Sequence, residues 1–209
     1  GLPEAIFTRV AGMTGDGAER LGSSFLDVAI ANMPYRIPHR LHERHTVAAH
    51  VPTTTHRAPG VNQTAFIVEQ FADELALAGG RDPLEWRLEM TRDMEPWQRV
   101  LRKLREVAGF RTDLPRGHGM GLAVIEDHAS FCGACATVAV SRSGALRIEK
   151  VVLVMNSGYV INPLNAAEQM EGAACWELSH ALHGGLTLER GRITSTNFDR
   201  YPLLRIGEV

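Results

Sequence analysis

Cysteine is scarce in this sequence: Cys132, Cys135 and Cys175 are all it has in 209 residues. Three thiols in a chain of this size do not make a disulfide framework, so reduced cysteine is the expectation. Long apolar runs are missing as well. The longest, VVLVM at 151–155, falls far short of the ~20 residues needed to cross a bilayer as a helix. No tract of one charge sign stands out either: the net charge is −2 and the isoelectric point is near 6.5, with signs interspersed, which argues against a nucleic-acid or other polyanion partner. The first residues, GLPEAIF, lack the basic, apolar and small-residue succession of a signal peptide and read as the middle of a longer gene product.

What is present is enough sequence to bury a real core, in one large or two small domains. Residues 1–50 read as an irregular or strand lead-in, with short strands around Pro34 and Pro38. Residues 51–209 then divide into helices over 62–108, sheet over 116–157, a long helix over 163–183 and a hairpin over 186–197. In the first helix Phe66, Ile67, Phe71, Leu75 and Ala78 form an apolar stripe that ends at Gly79-Gly80. A second helix starts at Asp82, with Pro83 at its first position and Glu85 completing a capping box. A third, from about Glu95 to Ala108, puts Trp97, Val100, Leu101, Leu104 and Val107 on one face and its basic residues in solvent. The stretch CATVAVSRSGALRIEKVVLVM predicts two strands turning at Ser143-Gly144. Asn162 then caps, and Pro163 starts, the long helix, and the last hairpin turns at Arg190-Gly191. The fold class expected is α+β: a helical cluster and a mainly antiparallel sheet with one long helix packed on it.

Two helix openings carry the chemistry. In THRAPGVNQT, from Thr55, Arg57 is a fixed cation with five donors, Pro59 stiffens the turn and Gly60 allows close approach to backbone. Asn62 and Gln63 add amide donors at a helix start, whose backbone N–H groups favour an anionic ligand. Taken alone, these residues read more simply as an Arg57 that caps a carboxylate and a Gly60 that only makes the turn. The segment NSGYVINPLNAAEQMEG repeats the pattern, with an Asn-Pro helix start ahead of Gln169, Glu171 and Gly172.

Together the two openings resemble a known family. RAPGVNQTAFIVEQFADELA followed by DPLEWR resembles the Arg-x-x-Gly turn and the two helices after it in the molybdenum hydroxylases, the xanthine dehydrogenase and aldehyde oxidase family. GYVINPLNAAEQMEG is similar to that family's Gly-x-x-x-Asn-Pro-x-x-x-x-x-Gln-x-Glu-Gly segment, and the ending NFDRYPLLRIGE is nearest to the branch typified by the isoquinoline 1-oxidoreductase beta subunit. The resemblance covers roughly residues 22–208. It implies part of a molybdopterin-binding subunit of an enzyme that oxidises N-heterocycles or aldehydes with water-derived oxygen. The implied cofactor is molybdenum held by molybdopterin, possibly as the cytosine dinucleotide. The implied partners are the remaining segments of the subunit, a small subunit carrying two-iron two-sulfur clusters, and a small-molecule substrate. Carried over by position, Arg57, Gly60, Gln169, Glu171 and Gly172 bind the cofactor, with Phe131 and Gly133 at a Phe-Gly segment near the pocket. Arg57 and Gln169 are then expected to converge on one cleft.

Departures from the family bear on activity. Its catalytic base is a Glu in a Gly-x-Gly-Glu-Pro segment expected beyond Val209, and Glu208 lacks that context. The Gly-Gln-Gly and Gly-Gly-x-Phe-Gly segments are missing too, so the 209 residues alone are expected to be inactive and to expose apolar surface that other segments cover.

Rival readings are a metal-binding module and a domain that keeps the fold but binds nothing. Cys132 and Cys135 have metal-pair spacing, but in a strand they point to opposite faces and no second pair follows. His39, His42 and His45 lack the HExxH spacing and read as a solvated or interface segment. His180 and His183 suit a helix C-terminus, and Asp127 and His128, adjacent in a strand, should diverge. The compartment, cytoplasmic or periplasmic, is left open by the sequence.

Overall fold

A computed structural model describes residues 2–14, 27–48, 56–205 and 207–208, so Thr55 of the first opening lies outside the described residues. The chain forms two compact units, Gly1–Gly158 and Tyr159–Val209.

The first unit opens with β1 (Ala5–Thr14), a short helix α1 (Val28–Ala31) and β2 (His39–Ala48). β1 and β2 pair in parallel over their full lengths, Ala5 opposite His39 through Thr14 opposite Ala48. Ten-residue strands thus replace the short ones expected around Pro34 and Pro38; the prolines precede β2, where a missing N–H does no harm to a ladder. The helices follow as α2 (Val61–Ala78), α3 (Pro83–Met90) and α4 (Glu95–Ala108). Asp82 caps α3 by accepting from the amides of Leu84 and Glu85 at 2.8 and 3.0 Å, while the Glu85 carboxylate turns outward to Arg105. Three antiparallel strands, β3 (His118–Asp127), β4 (Ser130–Val140) and β5 (Leu146–Asn156), lie in the order β3-β4-β5, and the β4–β5 turn falls at Ser143-Gly144 as the sequence predicts.

Helix α2 buries a different face from the one its large apolar residues suggest. Phe66, Ile67, Phe71 and Ala78 are exposed and Leu75 is only partly buried, whereas Val61, Thr64, Val68, Glu69, Ala72 and Ala76 are buried. Ala72 and Ala76 let neighbouring backbone come close, and the charge on Glu69 is matched inside the unit, so the face that looks half-polar in sequence is the one that packs. Val107 of α4 is likewise exposed, although Trp97, Val100, Leu101 and Leu104 are buried as expected.

Two cores result. One gathers Ile30, Met33, Tyr35, Ile37, Val68, Ala72, Trp86 and Met90 under β1. The other sets Leu84, Trp97, Val100, Leu101 and Leu104 against Leu122, Val124 and Cys135 of the sheet. Helix α3 serves both, sending Trp86 and Met90 to the first and Leu84 to the second. Between them lies Arg87, fully buried. Its Nε reaches Glu69 Oε2 and the Tyr35 hydroxyl at 3.1 Å each, its Nη1 reaches Asp73 at 2.5 Å, and its Nη2 donates to the Glu69 and Leu122 carbonyls at 2.9 and 3.4 Å.

The sheet meets α4 closely at Gly133. A methyl group there would stand 2.8 Å from Val100 Cγ1 and 3.4 Å from Leu104 Cδ2. Gly133→Ala is therefore expected to cost about 1–3 kcal/mol of stability by overpacking. Gly121→Ala on β3, which meets nothing within 4 Å, should be close to neutral. Urea unfolding of the two variants checks the pair, and equal stabilities would remove the close-packing account.

The second unit holds α5 (Pro163–His183) and a two-residue hairpin of β6 (Leu188–Glu189) and β7 (Arg192–Ile193). Asn162 caps α5 by accepting from the Asn165 amide at 3.1 Å. Arg190 and Gly191 both take positive φ, the geometry that a two-residue hairpin turn requires. The Ser179 hydroxyl, buried in α5, donates to the Cys175 carbonyl at 2.9 Å and accepts from the Leu204 amide at 3.2 Å, which ties the tail of the chain to the helix.

Candidate functional site

The first helix opening lies wholly in the first unit. Ala58 and Gly60 both sit at positive φ, 56° and 74°, on either side of Pro59. The left-handed conformation is free for glycine but costs an alanine about 1–2 kcal/mol, so the turn is held against a local penalty. Such strain concentrates at functional sites. The Ala58 carbonyl accepts from the amides of Val61 and Asn62 at 3.1 and 3.0 Å, and Gly60 is buried with its carbonyl taken by the Thr64 hydroxyl. Fewer backbone donors are therefore open here than a bare helix start offers. Arg57 and Gln63 lie on the surface, and Asn62 is half-buried.

The second opening, in the second unit, is less occupied. Gln169, Glu171 and Gly172 are all exposed on α5. Residues three or four apart share a helix face, which aligns Asn165, Gln169, Gly172 and Trp176 and directs Glu171 away from Gln169. All four aligned residues are exposed. A Cβ at Gly172 meets nothing within 4 Å among the described residues, so no packing seen within its own unit calls for glycine there. Yet glycine within a helix costs roughly 0.5–1 kcal/mol relative to alanine. An amide side chain, a gap left by glycine and an aromatic ring along one surface stripe suit a group that comes close from outside the chain. Arg57 and Gln169 belong to different units, so each is placed only within its own.

Phe131 and Gly133 occupy the sheet side of the second core. The Phe131 ring meets Trp97 edge-on at 5.4 Å between centroids, and Gly133 gives α4 its clearance. Packing accounts for both within the unit.

The rival clusters resolve in detail. Cys135 is buried on the face of β4 toward α4, while Cys132, an odd number of residues away, lies on the other face. Burial raises the pKa of both thiols, against a smaller downward pull from Lys150 on Cys135, which disfavours the thiolate that a metal or a nucleophile needs. His42 is held between Thr8, at 2.7 Å, and Asp27, at 2.5 Å, so it links β1, β2 and α1 rather than facing solvent freely. His128 departs from expectation: it lies in the β3–β4 turn at φ 49° and meets the Asp127 carboxylate at 2.9 Å, because a turn, unlike a strand, brings neighbouring side chains together. It is 92% exposed, which leaves the pair in water. The Glu208 carboxylate accepts from the Arg205 amide at 2.7 Å in a local turn.

The buried group with the strongest electrostatics is not among the residues that the sequence singles out. Glu69 accepts from the Tyr35 hydroxyl at 2.5 Å, the Val124 amide at 2.8 Å and Arg87. Burial raises its carboxyl pKa, against the pull of Arg87, Tyr35 and the Val124 amide. Burial works against the Arg87 cation too, but Tyr35, Glu69 and Asp73 outweigh it and raise its pKa. The one signal in sequence is a charge on an otherwise apolar helix face at each of the two positions. This network fastens α2, α3 and β3 together.

Comparison with known proteins is consistent across the chain. Residues 81–209 match one family described as a molybdopterin cofactor-binding domain, and residues 5–90 match a second of the same description. The chain is 30% identical over 166 residues to the membrane-bound aldehyde dehydrogenase [pyrroloquinoline-quinone] of Gluconacetobacter polyoxogenes, an alignment covering 70% of this chain and 22% of that protein. It is 28% identical over 157 residues to the beta subunit of the isoquinoline 1-oxidoreductase of Brevundimonas diminuta, covering 73% and 20%. Against a subunit of the nicotinate dehydrogenase of Pseudomonas putida it is 28% identical over 165 residues, covering 69% and 14%. The chain thus spans only 14–22% of the length of these relatives.

Proposed function

Because this chain belongs to the molybdopterin cofactor-binding domain family of molybdenum-containing oxidoreductases, we propose that it supplies part of the cofactor site of a larger subunit that oxidises N-heterocycles or aldehydes. When bound, the cofactor supplies the redox chemistry and the site at which oxygen from water is transferred. The chain's own residues bind and orient it. The observation that carries this reading is the exposed stripe on α5, where Gly172 leaves a gap beside Gln169 that no described residue of its own unit fills.

In this reading the Gln169 amide hydrogen-bonds the pterin or the ligands around the metal, and Gly172 lets that group come against the helix backbone. Glu171, on the other side of α5, shapes the helix and its surroundings. Arg57 places a fixed cation beside anionic cofactor oxygens, and the strained Ala58-Pro59-Gly60 turn orients it. Phe131 and Gly133 contribute through the packing of α4 on the sheet. The cytosine dinucleotide form, the small two-iron two-sulfur subunit as electron acceptor and the catalytic Glu in a segment outside these residues complete the proposal. Relatives named for isoquinoline and nicotinate favour the N-heterocycle, and the one named for an aldehyde favours the other substrate class.

Metal and cofactor analysis of the complete subunit tests the reading. One equivalent of molybdenum with pterin fluorescence after acid oxidation is expected, together with dye reduction that the 209-residue chain alone lacks. Pyrroloquinoline quinone in place of molybdenum, as the name of the aldehyde dehydrogenase relative has it, would overturn it. So would one equivalent of zinc bound through Cys132 and Cys135, or turnover by the 209-residue chain.

A further inference from the structure

A cleft of about 600 Å³ runs along β1 in the first unit. Six consecutive residues of β1, from Ile6 to Ala11, line it, but none of β2 does. Alternate residues of a strand point to opposite faces, so a cavity touching every residue in turn lies along the strand's edge, here the edge of β1 away from β2. The opposite wall is the outer face of α2, with Phe66, Ile67 and Phe71, and Trp86 lines the cleft as well.

Three features of this cleft are out of place in a finished protein surface. Phe66, Ile67 and Phe71 are exposed side by side on one helix. β1 and β2 form a two-stranded parallel sheet with no third strand among the described residues, although parallel sheets are normally larger and covered on both faces. Trp86 is wholly buried, yet its Nε1–H has no hydrogen-bond acceptor among the described residues, a cost of about 1–3 kcal/mol for a donor removed from water.

We infer that the cleft receives an extended segment of the same subunit from outside these 209 residues, added as a strand on the free edge of β1 and packed on the exposed Phe66 and Phe71. An open strand edge facing an apolar helix wall is the geometry of strand addition, in which main-chain bonds to the edge hold the segment and alternate side chains enter the groove. Relatives several times longer than this chain provide the polypeptide. A second copy of the chain fits less well. Its own α2 stands in front of the β1 edge that would have to enter, so two helices would compete for the room of one strand. The inference rests on the reading of the chain as part of a larger subunit.

The test uses the complete subunit with p-benzoylphenylalanine in place of Phe71, followed by irradiation and mass spectrometry of the crosslinked peptides. The expected product joins position 71 to a peptide of the same polypeptide outside residues 1–209. In parallel, Ile67→Cys is alkylated in the complete subunit and in the 209-residue chain, with protection of about tenfold or more expected in the former only. A crosslink within residues 1–209, a crosslink between two copies, or equal alkylation in both proteins would each overturn the inference. Molybdenum and pterin measured in the same preparations report separately on the functional reading: a protected cleft without cofactor sinks that reading and leaves this one standing.

Discussion

Arg87→Ala is expected to lower the unfolding free energy by about 3–5 kcal/mol, since removing one partner of a buried pair leaves the other charged and dry. That is a large share of the roughly 5–15 kcal/mol that holds a typical domain together. Arg87 has no solvent exposure, and its bonds run to α2 through Glu69 and Asp73, to β3 through the Leu122 carbonyl, and to the segment before β2 through Tyr35. The variant therefore loses the joint between the two cores as well as a hydrogen-bonded cation. Arg87→Met combined with Glu69→Gln should recover part of the loss, because the buried Glu69 charge is then gone and the Asp73 carboxylate that also loses its partner is partly exposed to water. Urea unfolding followed by the fluorescence of Trp86 and Trp97 reads both effects. A loss below about 1 kcal/mol, the value of a surface ion pair, would mean that the network does not join the cores.

Gly172→Ala in the complete subunit is expected to move stability and cofactor content in opposite directions. Nothing within 4 Å meets the added methyl, so the helix should gain the roughly 0.5–1 kcal/mol by which alanine exceeds glycine. If the cofactor comes against the backbone at this position, the same methyl overpacks it at a cost of about 1–3 kcal/mol. That corresponds to roughly a 5- to 140-fold weaker hold on the cofactor. Gln169→Ala, one turn earlier, and Arg57→Ala, at the other opening, should lower molybdenum content or turnover without altering the melting temperature. The variants are compared by molybdenum per polypeptide and by thermal unfolding. A Gly172→Ala protein that is more stable and fully loaded would take α5 out of the site.

From α2 onward the elements lie within a few residues of where the sequence puts them, whereas β1, α1 and the full length of β2 do not follow from it. Asp82 and Asn162 cap α3 and α5 because short polar side chains ahead of Pro at the first helical position satisfy helix N–H groups wherever the helix ends up. The turns at Ser143-Gly144 and Arg190-Gly191 follow from Gly144 and Gly191, which accept positive φ, and the α4 stripe of Trp97, Val100, Leu101 and Leu104 from helical period. These are local interactions between residues close in the chain. Membership of the family was legible too, because the Arg57-to-Gly60 and Gln169-to-Gly172 motifs keep their order and spacing.

Tertiary structure alone decided which face each element turns inward and what each charge meets. On α2, period and hydrophobicity point to Phe66, Ile67 and Phe71, but the buried face holds Thr64, Glu69, Ala72 and Ala76. Glu69 can be buried because Arg87, eighteen residues on, and Tyr35, thirty-four residues back, converge on it. β1 carries β-formers at Ile6, Phe7, Thr8 and Val10, but its full ten-residue length and its partner follow from pairing with β2, more than thirty residues away. Sequence patterns report free energies that depend on neighbours along the chain. The desolvation of Glu69 depends instead on atoms brought close only by folding, where one charged partner reverses the preference of a helix face.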